Sequence, residues 1–259
     1  MNLGEIDWGR PWLAPYRPIG RRVVARIAAG TQVAEALNAE AQAEPPVLHA
    51  GAVRFVAQSA LPAGEAYEAF IARTAQVPTR DVLHDLFNGL VWLVFPRLKR
   101  RLNEVHAEQI ARHGVGPVRG PVRDALTLFD ENGAMLQAPG ALLDALRRRD
   151  WQSLFVSQRE DWAAARLTLF GHALIGKLAR PRKAITAQVW AVPPEEGDAE
   201  AFLCARACAD WLAAKPGLPL PVLGVPGWWQ ANEDPGFFLD AQVFRPAPPR
   251  AEPEKPHPL

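Results

Sequence analysis

Between Pro78 and His106 the apolar residues recur at helical spacing and leave a polar face between them. Leu83, Phe87, Leu90 and Val94 line one side. Asp81, His84, Asp85, Asn88 and Trp92 follow one another at steps of three and four on the other, the interval that returns side chains to one face. The pattern predicts a helix over residues 80–95, with Thr79 as its N-cap and Asp81 in the first turn, where the helix dipole favours a carboxylate. Pro96 breaks it, and a second helix runs over 97–113 with Gly114 behind its basic last turn.

The same reading gives the other elements. Residues 1–20, rich in Trp and Pro, predict an ordered extended arm over the body, because Trp8 and Trp12 need burial. Residues 21–42 are helical with a break at Gly30, 53–58 form a short strand, and 66–73 form a helix carrying Tyr67, Phe70 and Ile71. Apolar runs 125–129 and 134–137 flank Asp130-Glu131-Asn132-Gly133, which predicts a β-hairpin on an Asn-Gly turn. A short helix over 139–148 comes next. Residues 158–179, nearly apolar after Leu167, predict a buried helix with His172 inside it and Pro181 as its stop. Then come a strand over 184–192 and a helix over 198–214. From Pro246 onward nothing can be buried, so 246–259 reads as a disordered proline-rich tail. The sum is a helix-dominated α+β fold, one globular domain over 1–245. Its small antiparallel sheet comes from the 124–137 hairpin, the 184–192 strand and the 53–58 segment.

A chain of 259 residues is long enough for one substantial core, and a net charge of +1 selects no acidic partner. Cys204 and Cys208 are the only cysteines; they are expected as core residues of one helix, and a reducing compartment fits them. Glu5 and Asp7 stand where a signal peptide has basic residues, and no apolar run reaches a membrane span. A cytoplasmic protein with no membrane association is the expectation. Arg97, Lys99, Arg100, Arg101, Arg112, Arg119 and Arg123 make residues 97–123 locally basic. Without a motif or interleaved aromatics they read as a solvated helix face, and no strong nucleic-acid binding is expected; nucleic acid stands as a third reading of function.

Arg80, Asp81, His84, Asp85 and Asn88 carry the candidate chemistry. In an enzyme reading His84 is the base, Asp81 or Asp85 orients it or binds a metal, and Arg80 clamps an anion. In the bland reading the row is a capped helix start with a solvated face. His172, set in apolar sequence, requires a partner: a carbonyl, a carboxylate, or a pocket shared with His84 or Asp130. Asp130 either bonds its own turn or joins that pocket. Strongly apolar flanks draw all three points toward one core, where polar groups must meet each other or water. There is no phosphate loop, dinucleotide fingerprint or Gly-x-Ser-x-Gly elbow. Two function classes result: a hydrolytic or acid/base enzyme acting on a small molecule, and a non-catalytic binding or assembly protein whose polar row is a structural network. The sequence names no cofactor, metal or oligomeric state.

The blocks VPTRD, HDLFNGLVWLVFPRLKRRLN, RGPVRDALTLFDENG, SLFVSQREDW and FGHALIGKL, with IDWGRPWLAP before them, resemble the bacterial domain of unknown function 3025 family over most of residues 5–192. The resemblance implies a bacterial cytoplasmic protein and no particular activity. Two departures bear on a site: the family pattern has an acidic residue where this chain has Gly176, and a histidine where it has Gln188. If those positions held ligands, a metal site built on His172 would be weakened here.

Overall fold

Proline and glycine mark several of the helix ends in this chain. A computed structural model describes residues 2–116 and 120–247. Helix α1 (Arg17–Ala28) has a proline in its first turn, and α2 (Val33–Ala41) comes after the turn at Gly30. Strands β1 (Val47–Leu48) and β2 (Gly51–Ala52) pair antiparallel. Strand β3 (Arg54–Ala57) runs parallel to β4 (Gln76–Thr79), with α3 (Tyr67–Thr74) between them in sequence. Helix α4 (Leu83–Val94) is separated from α5 (Pro96–His113) at Phe95, and Gly114 closes α5 at φ 71°, a value glycine adopts without strain. Helix α6 (Pro121–Asn132) runs straight into β5 (Gly133–Gln137). Then come α7 (Gly140–Arg148), β6 (Arg166–Leu169), α8 (His172–Lys177), β7 (Thr186–Val192), α9 (Ala199–Arg206), α10 (Ala209–Ala213) and β8 (Leu218–Pro221).

The fold is helix-rich α+β. Its main sheet has the order β6-β5-β7-β8; the two outer pairs are antiparallel and the central β5·β7 pair is parallel. The 53–58 segment does not join it, since β3 pairs only with β4.

Four local expectations give way to tertiary structure. The hairpin at 124–137 is a helix followed by a strand. Pro121 supplies a pre-set first helical residue, and Val122, Leu126 and Phe129 bury one face of α6. Gly133 sits at φ −74°, outside the positive-φ region that an Asn-Gly hairpin turn requires. The helix expected over 158–179 is instead a 3-10 segment, β6 and the short α8. Leu167 and Leu169 extend because β5 offers them a hydrogen-bonding edge. The 198–214 helix breaks at Ala207-Cys208, so Cys204 is only half-buried and Cys208 is exposed; they are not core cysteines. The arm expected over 1–20 is, across residues 2–20, built of 3-10 turns and the start of α1 rather than extended chain. Its anchoring role stands: Trp12 is buried, and buried Tyr16 donates to the Leu169 carbonyl at 2.6 Å.

Phe129 stacks between Phe170 and Trp190, tying α6 to the sheet inside a continuous apolar core. The basic stretch of α5 is largely neutralised within the chain. Arg97 pairs with Asp198 and Glu200, Arg100 and Arg101 pair with Glu104, and Lys99 is buried against Asp130. Arg119 and most of the 246–259 tail lie outside the described residues. Among the described residues no helix is long and apolar enough to cross a membrane.

One close approach of two backbones sets where α8 begins. The Phe170 and Gly171 N–H groups both donate to the Gly133 carbonyl, at 2.9 and 2.8 Å. A Cβ on residue 171 would collide with backbone atoms of Gly133 and Asn132. Gly171→Ala is therefore expected to destabilise the protein by about 1–3 kcal/mol, the usual cost of overpacking a rigid contact. Denaturant unfolding measures it, and wild-type stability would show that the junction gives way freely.

Candidate metal centre

The first turn of α4 is organised by Asp85 rather than by an N-cap. Val82 at the cap position offers no side-chain bond. Asp85, in the third helical position, reaches back to accept the Arg80 N–H at 2.7 Å and the Arg80 guanidinium through Nε and Nη2, both at 2.9 Å. Thr79 is not a cap; it ends β4, and its hydroxyl donates to the Val77 carbonyl. Asp81 leaves the polar row altogether. Its Oδ1 accepts the Val33 N–H at 2.8 Å, serving the start of α2.

Asp85 also fixes His84. Its Oδ1 lies 2.9 Å from His84 Nδ1, which places a ring proton there and turns Nε2 toward the cluster, where it carries a proton or, with a metal in that proton's place, would give its lone pair. That Nε2 lies 3.2 Å from Nε2 of His172 and 3.5 Å from Oε2 of Glu131. His172 Nε2 is 3.5 Å from the same Glu131 oxygen. Three elements thus meet at three atoms: the first turn of α4, the last turn of α6 and the first residue of α8.

A second polar layer lies behind His172, without a hydrogen bond to its Nδ1. His172 is buried, and its Nδ1 stands 3.7 Å from Asp130 Oδ2. Asp130 Oδ1 in turn accepts from Lys99 Nζ at 2.7 Å, and the same ammonium donates to Asn88 Oδ1 at 2.9 Å. Lys99, read from the sequence as part of a solvated basic face, is only 5% exposed. Its stem runs inward on the buried side of α5, and its charge is needed there to balance Asp130.

The electrostatics favour a cation at the three-atom cluster. Hydrogen bonds to Asp85 and Glu131 raise His84 to about 9. Hydrogen bonds from His172 and His84 hold Glu131 well below the ordinary carboxylate range. Burial works against Asp85 and Asp130 ionising, but the His84 and Arg80 bonds outweigh it for the first and the Lys99 charge for the second.

The spacing also matches a coordination shell. Bonds of about 2.0–2.1 Å place neighbouring donors of a tetrahedral ion roughly 3.3–3.4 Å apart. The measured edges are 3.2, 3.5 and 3.5 Å. Two imidazoles and one carboxylate suit Zn²⁺ and its transition-metal neighbours better than Mg²⁺ or Ca²⁺. The fourth side opens on a cavity of about 310 Å³, whose wall includes Leu61, Tyr67, Glu68, Pro78 and Arg80 beside the cluster.

Arg80, His84, Asp85, Asn88, Asp130 and His172 therefore line one cavity, and Asp81 does not. Glu131 is the residue that sequence reasoning passed over as part of a hairpin tip. Its signal was the helical spacing of Val122, Leu126 and Phe129 behind Pro121, which carries Asp130 and Glu131 onto the end of a helix. Tyr67 and Lys99 were likewise read only as an apolar-stripe residue and a surface cation.

The model of a family of proteins of unknown function, DUF3025, matches residues 53–248. The chain belongs to this family. The three donor atoms, Asp85, Asp130 and Lys99 all fall within the DUF3025 span. No curated protein and no solved structure matches the chain. Neither Gly176 nor Gln188 lines the cavity.

Proposed function

We propose that this protein is a metal-dependent hydrolase whose ion is held by His84, Glu131 and His172. The convergence of their three donor atoms at coordination spacing, open on one side to a cavity, carries the reading. When bound, a Zn²⁺-class ion supplies Lewis acidity and a water activated near neutral pH. The chain's own groups do the rest. Asp85 keeps His84 in the tautomer that presents Nε2. Asp130, steadied by Lys99, places its charge 3.7 Å from Nδ1 of His172. Arg80 spends Nε and Nη2 on Asp85, and its Nη1 is left for an anionic group of the substrate at the rim. The cavity volume suits a small molecule or the end of a larger one. A bacterial cytoplasmic setting belongs to the same proposal, supported by the two free thiols.

The test is metal analysis after incubation with Zn²⁺, Mn²⁺ or Co²⁺ and exhaustive dialysis, followed by a hydrolase screen with and without chelator. About one equivalent of metal and a chelator-sensitive, metal-restored activity are expected. Protein that retains no metal under any of these conditions would overturn the reading and put a non-catalytic assembly role in its place.

A further inference from the structure

Tyr67 faces the same cavity from α3, and its hydroxyl proton is engaged only in a long bond to the Pro78 carbonyl. The ammonium of Lys99 can only donate, so the oxygen it meets on Asn88 must be the amide carbonyl. That fixes the Asn88 amide: Nδ2 points the other way and donates to the Tyr67 hydroxyl oxygen at 3.1 Å. With its oxygen already accepting, Tyr67 must direct its own hydrogen elsewhere. The acceptor it meets among the described residues is the Pro78 carbonyl at 3.4 Å, beyond the range of a good O–H···O bond. Burial holds the phenol well above its ordinary pKa, so it keeps its proton across the neutral range. The hydrogen-bonded chain Tyr67–Asn88–Lys99–Asp130 fixes the donor and ends with a carboxylate 3.7 Å from His172 Nδ1, which sets a charge beside that ligand without a hydrogen bond to it. Such pre-set geometry is what stabilisation of developing charge requires.

Local charge points to the substrate. Arg80 cancels Asp85 and Lys99 cancels Asp130. A dication less Glu131 leaves one positive charge, which Glu68 on the cavity wall balances. A neutral site suits an uncharged reacting group rather than a phosphate dianion.

We propose that Tyr67 donates a hydrogen bond to the carbonyl oxygen of an acyl substrate, an ester or amide, as that oxygen becomes negative. This rests on the metal-dependent reading. Water oxygen bonds to the carbonyl carbon, and the C=O π pair moves onto the oxygen facing Tyr67. The pair then returns as the bond to the leaving oxygen or nitrogen breaks. The proton lost by water leaves with that group, so acid and alcohol or amine are the products. Tyr67 keeps its proton throughout.

The experiment uses the full-length protein loaded with Co²⁺ and tracks the cobalt absorption spectrum during titration with acetohydroxamate, an acyl-hydrolase inhibitor, and separately with inorganic phosphate. Tyr67→Phe keeps the ring and removes only the hydroxyl. It is expected to weaken acetohydroxamate by about ten-fold or more, the size of a hydrogen bond to a charged group, with cobalt content unchanged and a small fall in melting temperature from the Asn88 amide that loses its acceptor. Equal acetohydroxamate affinity in the two proteins overturns the role of Tyr67 and leaves the metal reading standing. Phosphate binding without hydroxamate binding overturns the acyl substrate. Failure to bind cobalt overturns the metal reading, and this inference falls with it.

Discussion

Lys99→Ala is expected to destabilise the protein by about 3 kcal/mol, near the lower end of the range for breaking a buried ion pair. Lys99 is 5% exposed, and its ammonium serves Asp130 at 2.7 Å and Asn88 at 2.9 Å while lying 5.2 Å from the centre of the Trp92 ring. Removing it leaves the Asp130 carboxylate without its cation and Asn88 without a donor, and each must recover solvation in a packed region. Asp130 keeps 19% of its side chain exposed, so water relieves part of the cost, which places the figure at the low end. The pair is a better guide than the single change. Lys99→Met combined with Asp130→Asn removes both charges and is expected to be less destabilising than Lys99→Ala alone, because no bare charge is left behind. Urea unfolding of the three proteins decides it. A Lys99→Ala loss below about 1 kcal/mol would show the pair to be solvated and worth little, as at a surface.

Loss of any one of the three donors is expected to abolish tight metal binding. His84→Ala, Glu131→Gln and His172→Ala each leave two donors where a stable site needs three from the protein. Outer-layer changes should be milder: Asp85→Asn keeps the size of the side chain but loses the charge that holds His84, and is expected to weaken metal binding by about 10–100-fold. His84 has 43% of its side chain exposed, so His84→Ala should cost little stability while removing the metal. A loss above about 3 kcal/mol, the size of a core truncation, would make His84 a structural residue instead. His172 is buried, so His172→Ala is the less clean variant, and His172→Gln preserves more of its volume. Metal content by mass spectrometry, with circular dichroism as the folding control, separates the outcomes. A metal stoichiometry unchanged in Glu131→Gln would remove that carboxylate from the donor set.

Short-range spacing and chain punctuation were enough for part of this molecule. The α4–Pro96–α5 pair, the Gly114 stop, the helix at 140–148 and the shared face of His84, Asp85 and Asn88 all come from helical period, proline and glycine, which act within a turn or two. The end of α6 was decided elsewhere. Asp130-Glu131-Asn132-Gly133 looks like a hairpin tip to any local rule, yet β5 pairs with β6 and β7, which lie some 30 and 50 residues further on. A strand's hydrogen-bonding partners are non-local, so a run such as Leu167-Thr168-Leu169 becomes strand or helix according to whether an edge is present to receive it. Lys99 went the same way: one residue in a basic helix carries no sign of which side of that helix will be buried against a carboxylate. The meeting of His84, Glu131 and His172 depends on three backbone segments arriving together. No spacing in the chain encodes that distance; it comes from the packing of Phe129 between Phe170 and Trp190 and from the close passage of Gly171 over Gly133, which leave the three polar ends facing one another.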